Sequence, residues 1–126
     1  METLLNILIV DDNPEDRALV RREISRDFPN CQFRQVTNSR ELSQAIESSD
    51  MDLVVTDYQL RWTDGITVLL GVKKHWPECP VVMFTGSGNE EIAVQAMKAG
   101  LDDYVLKSPK HYPRLSSAIQ DRKSVV

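Results

Sequence analysis

Five residues capable of polar chemistry follow short apolar runs: Asp11 and Asp12 after Leu5–Val10, Asp57 beyond Leu53–Val55, Thr85 after Val81–Phe84, and Lys107 after Tyr104–Leu106. Three carboxylates drawn to one place repel one another, by roughly 3 kcal/mol per pair at about 5 Å and an effective dielectric near 20. A hard, oxygen-liking cation is the economical compensation, and Mg²⁺ is usually held by one or two carboxylates plus waters and phosphate oxygens. Lys107 would be the positive side chain facing the acids, able to meet an acidic or phosphoryl oxygen as a point charge.

Singly, each residue has an ordinary explanation. A carboxylate ahead of a helix caps it or complements its dipole, a strand-final Thr is a β-branched residue, and an isolated Lys is a solvated one. Those explanations fail jointly when all five residues fall at the ends of runs. The turn Gly86-Ser87-Gly88 is a weak phosphate signal, since Glu91 stands where a dinucleotide fingerprint needs its third glycine and no GK[ST] follows.

The elements that must position these groups are legible in the spacing. The apolar runs, with the shorter and more mixed Cys31–Val36 and Tyr104–Leu106, read as strands. Between and after them lie sets with helical spacing: Val20, Ile24 and Phe28; Leu42, Ala45 and Ile46; Ile66, Leu69 and Leu70; Ile92, Ala93 and Ala96; Leu115, Ala118 and Ile119. Asn13-Pro14 suits a helix start, Asn38 with Glu41 resembles a capping box, and Gly100 suits a helix end. The alternation predicts a (βα)5 domain: a parallel, doubly wound, flavodoxin-like sheet with helices on both faces and strand order 2-1-3-4-5. In such a sheet ligands bind beyond the carboxyl ends of the strands where the order reverses, which places the site just after Val10 and Val55.

The 126 residues are read as a single domain, 1–126, and the net charge of −4 excludes broad, sequence-independent nucleic-acid binding. Cys31 and Cys79 have no metal-like spacing, no apolar run approaches a membrane span, and the start lacks a basic secretory pattern, so a cytoplasmic domain is expected. His75 and His111 lack metal-ligand spacing and read as surface residues.

The pattern resembles the receiver domain of two-component response regulators, from ILIVDDNPEDR through LVVTDYQL and VVMFTGSG to AGLDDYVLK. The resemblance implies that Asp57 is the phosphoacceptor, taking a phosphoryl group from a partner's phosphohistidine. It implies Mg²⁺ bound by Asp12, Asp57 and the backbone carbonyl of Gln59, with Asp11 acting through water or orienting Lys107. Lys107 and Thr85 would meet phosphoryl oxygens, and Tyr104 would be the aromatic switch coupled to Thr85. The implied readout is a population shift at the surface of the fourth helix, fifth strand and fifth helix, also a possible homodimer face. Implied partners are a sensor histidine kinase or histidine phosphotransfer protein and a downstream protein target, with no direct nucleic acid and no membrane. The resemblance further implies a signalling domain, not an enzyme, that assists its own phosphorylation and dephosphorylation.

The sequence departs from the commoner family pattern in two places. Arg61 and Trp62 precede Thr63-Asp64-Gly65 where a proline and glycine are frequent, and Trp62 is either a recognition aromatic or a ring packed on its own loop. Ser108 separates Lys107 from Pro109, so the bond after Lys107 is not prolyl. Gln59 and Ser87 stand where the family tunes phosphoryl lifetime. One alternative is a receiver domain excised from a hybrid histidine kinase. A haloacid-dehalogenase-type, Mg-dependent phosphatase would want a second acid at Gln59, and a flavin-binding module would want a phosphate-friendly loop in place of Asp11–Asp16.

Overall fold

Val, Ile and Leu stack into one parallel sheet because strands covered on both faces need near-continuous apolar runs. The computed structural model describes residues 4–48 and 50–124. Its strands are β1 (Leu5–Val10), β2 (Cys31–Val36), β3 (Leu53–Thr56), β4 (Val81–Thr85) and β5 (Asp103–Leu106). They pair in the order β2-β1-β3-β4-β5, as the alternation predicts, and every pairing is parallel. The helices are α1 (Pro14–Asp27), α2 (Ser39–Ser48), α3 (Gly65–His75), α4 (Glu90–Lys98) and α5 (Ser117–Ser124), with a 3₁₀ segment at Pro109–Ser116.

Alternate residues of each strand point to opposite faces, so the sheet carries two cores. Leu8, Val10, Val54, Val81 and Met83 pack with Ala45, Ile46, Val68, Leu69, Val72 and Ala96 of α2, α3 and α4. Ile7, Ile9, Val55, Val82 and Phe84 pack on the other face with Val20 and Ile24 of α1 and with Leu115 and Ile119. Both edge strands are wet, with Val36 the one buried residue of β2 and Val105 that of β5.

Asn13 caps α1 by accepting from the Glu15 N–H, with Pro14 in the first turn, and Gly100 ends α4 at φ 106°. Three expectations are corrected. In α3, Leu70 faces solvent while Val68 and Val72 are buried, because the buried stripe is set by the sheet it covers and lies one step aside from the Ile66–Leu70 arc. The Asn38 side chain accepts from the Glu41 N–H, but Glu41 reaches back to the Thr37 N–H and hydroxyl, one residue earlier than a capping box requires. The last helix starts late, since Pro113 lacks an N–H to donate and the chain takes a 3₁₀ path through Leu115. Leu115 and Ile119 are nevertheless both buried.

The two ends of the sheet are finished differently. At the amino ends of β4 and β5, the Asp102 carboxylate accepts from the Val81 N–H at 2.7 Å and from Lys73 Nζ at 3.0 Å. No helix among the described residues is long and apolar enough to cross a membrane.

Candidate functional site

Parallel strands of similar length end together, which carries the residues after β1, β3, β4 and β5 to one edge of the sheet. There Lys107 reaches across the strand ends, and its three N–H donors are all taken. Nζ lies 3.1 Å from Asp11 Oδ2, 2.9 Å from Asp57 Oδ2 and 2.7 Å from Asp16 Oδ2. The lysine side chain is 15% exposed, Asp11 5%, Asp57 14% and Asp16 25%, so the ammonium is largely enclosed by carboxylates. Nζ also sits 5.6 Å from the centre of the buried Phe84 ring, which Tyr112 meets edge-on.

Burial alone would push the Lys107 ammonium down. Its hydrogen bonds to Asp16 and Asp57 and the charges of Asp11 and Asp57 outweigh that and hold it above the ordinary lysine range. Asp11 moves up, because burial disfavours its charge and Asp57 adds repulsion. The Asn13 N–H and Lys107 pull it the other way.

Asp12 stands apart from this cluster. Its Oδ2 accepts from the Arg61 N–H at 2.6 Å, tying the β1–α1 loop to the β3–α3 loop. Asp57 Oδ1 accepts from the Tyr58 N–H, leaving Oδ2 for the lysine. Gln59 is exposed and bridges to Asp64 across the same loop. Gly65 must lack a side chain, for a Cβ there would lie 2.6 Å from the Asp57 carbonyl oxygen and 2.9 Å from the Met83 methyl. Gly65→Ala is therefore expected to destabilise the fold by about 1–3 kcal/mol through overpacking, read as a lower urea midpoint. An unchanged midpoint would mean that the loop gives way freely.

Thr85 is fully buried, and its Oγ1 accepts from the Ser87 N–H and lies 3.2 Å from Ser87 Oγ, so the hydroxyl is engaged by its own loop. Tyr104 is half-buried against the α2–α3–α4 core, and its hydroxyl is buried beneath Gly88 with no hydrogen-bond partner. Burial, then the Asp57 charge, raises its phenol above the ordinary value. A Cβ on residue 88 would fall 1.6 Å from that hydroxyl. Gly88→Ala should drive the Tyr104 ring from this seat, moving its aromatic NMR signals, and unaltered signals would contradict the steric argument.

The aromatic Trp62 is half-buried against the same core with Nε1 enclosed, which favours packing over recognition. The Lys107–Ser108 bond is trans. Sequence reasoning missed Asp16: an acid in the first turn of a helix reads as a complement to the helix dipole. The available signal was its position one turn after Asp12 and immediately before Arg17, whose guanidinium folds back onto the Asp11 carbonyl at 2.7 Å.

The donor set suits a hard cation. Asp12, Asp57 and the Gln59 carbonyl offer oxygen only, and Mg²⁺ is usually held by one or two carboxylates with waters rather than by a closed protein cage.

The chain is thus a doubly wound five-stranded α/β domain with an acidic pocket spanned by Lys107 at the strands' carboxyl ends. The family model for the response regulator receiver domain matches residues 7–120, and the chain belongs to that family. It is 33% identical over 100 residues to the response regulator protein PilR of Pseudomonas aeruginosa, covering 79% of this chain and 22% of that protein. It is 32% identical over 120 residues to the transcriptional regulatory protein ResD of Bacillus subtilis, covering 94% of this chain and 49% of that one. The chain thus spans half or less of these curated relatives. The receiver domain of NtrX from Brucella abortus superposes with a TM-score of 0.80 at 33% identity, covering 95% of this chain and 99% of that one.

Proposed function

We propose that Asp57 accepts a phosphoryl group from a partner's phosphohistidine. The observation that carries this reading is the placement of Asp57 Oδ2 against Lys107 Nζ at 2.9 Å, at the carboxyl ends of the central strands. Membership of the receiver family supports it. A carboxylate oxygen of Asp57 attacks phosphorus, the N–P bond of the donor breaks, and its electron pair returns to the imidazole, which takes a proton from solvent. Lys107 meets a phosphoryl oxygen as a point charge, and the Thr85 hydroxyl exchanges Ser87 for another.

Asp12, Asp57 and the Gln59 carbonyl would hold Mg²⁺, with Asp11 indirect. When bound, the ion neutralises charge on the transferring oxygens. The readout proposed is a shift of Tyr104 and of the α4-β5-α5 surface, which exposes Val94, Met97 and Leu106 to a downstream protein or a second copy. Donors would be a sensor histidine kinase or a histidine phosphotransfer protein in the cytoplasm. Residues 1–126 would act as one receiver module, alone or within a longer regulator or hybrid kinase. The test is intact mass after incubation with phosphoramidate and Mg²⁺: wild type should gain one phosphoryl group, and no gain with any small donor would end this reading.

A further inference from the structure

We propose that Asp16 is a positioning residue that occupies Lys107 in the unphosphorylated domain and must release it before a phosphoryl oxygen can be bound. The inference rests on the phosphoacceptor reading of Asp57 and concerns a residue which that reading does not use.

An ammonium has three N–H donors, and Asp11, Asp16 and Asp57 occupy all three. A fourth acceptor enters only by displacing one of them. Asp11 is the most buried, and it is fixed from both sides: its Oδ1 accepts from the Asn13 N–H and its carbonyl accepts from Arg17. Asp57 carries the incoming group. Asp16 has the shortest bond to Nζ, at 2.7 Å, yet its side chain is the most exposed of the three, so it can return to water at the least desolvation cost.

The placement of Asp16 is built into the fold. Arg17 anchors the start of α1 to the Asp11 carbonyl and, through Nε, to Gln35 next to the end of β2. That clamp holds the first turn of α1 over the lysine. Asp16 also adds a negative charge where an anionic donor must arrive, so it opposes phosphorylation both by occupying the lysine and by repulsion.

The experiment titrates beryllofluoride, a phosphoryl mimic, at saturating Mg²⁺ into wild type, Asp16→Asn and Glu15→Gln, following backbone NMR signals, and measures phosphorylation by phosphoramidate in parallel. Glu15 is exposed and adjacent, and its substitution changes the net charge equally without touching the lysine. Asp16→Asn should raise beryllofluoride affinity and phosphorylation rate about fivefold to tenfold, with Glu15→Gln within about twofold of wild type. An unchanged or weakened Asp16→Asn, or an equal gain in Glu15→Gln, would overturn the role of Asp16 while leaving Asp57 as acceptor. Absence of uptake in wild type and both variants would overturn the acceptor and this inference together.

Discussion

Asp57→Asn is expected to abolish phosphoryl uptake while leaving the fold intact. The substitution keeps the shape of the side chain, and an amide oxygen still accepts a hydrogen bond from Lys107, which also retains Asp11 and Asp16. It removes one negative charge from a pocket in which three carboxylates share one ammonium, so stability should hold or rise by up to about 1 kcal/mol. What is lost is the nucleophile, because an amide oxygen does not form the acyl phosphate. Intact mass after phosphoramidate and Mg²⁺ should show the gain in wild type and background in the variant. A gain that persists would assign the acceptor to another group.

Lys107→Met carries the largest expected stability effect. Removing one partner of a buried pair costs roughly 3–5 kcal/mol, and solvent reaching the more exposed Asp16 reduces this to about 2–4 kcal/mol at pH 7. The pH dependence has a definite sign. The wild-type lysine has a raised folded pKa, so its contribution is complete below the unfolded value near 10.4 and is lost as pH climbs past the folded one. In the variant, Asp11 loses the ammonium that was pulling it down and rises further. A carboxyl raised in the folded state favours folding below its unfolded value near 3.9 and loses that contribution as pH rises through the folded value. The gap between wild type and variant should therefore be smaller at pH 5 than at pH 7 in urea titrations. Equal gaps at both values would show that the carboxylates do not depend on Lys107.

The sheet was legible because its evidence is repeated: three apolar runs and two more mixed ones, each followed by a helical stripe, leave few alternatives to a parallel order. The positions of Asp11, Asp57, Thr85 and Lys107 followed from that order, since a residue at or just past the end of a strand can only lie at the carboxyl edge. Asp16 was not legible because its role depends on how far Lys107 reaches, a tertiary distance that no local spacing encodes. The same holds for Tyr104, whose seat depends on a missing Cβ at Gly88 in another loop. The late start of α5 was signalled by Pro109 and Pro113, but the helical spacing of Leu115 and Ile119 outweighed them because both side chains do face the core.

Lys73–Asp102 at 3.0 Å and Lys107–Asp57 at 2.9 Å are lysine–aspartate pairs of nearly equal length at opposite ends of the sheet. They are chemically alike but electrostatically opposite. Asp102 also accepts from the Val81 N–H, and Lys73 also donates to the Cys79 carbonyl, so that pair is stitched into the backbone around it. Lys107 is outnumbered three to one by carboxylates, so its end of the sheet carries an excess of negative charge. Strand polarity thus turns one kind of ion pair into a fastening at one pole and a concentration of charge at the other.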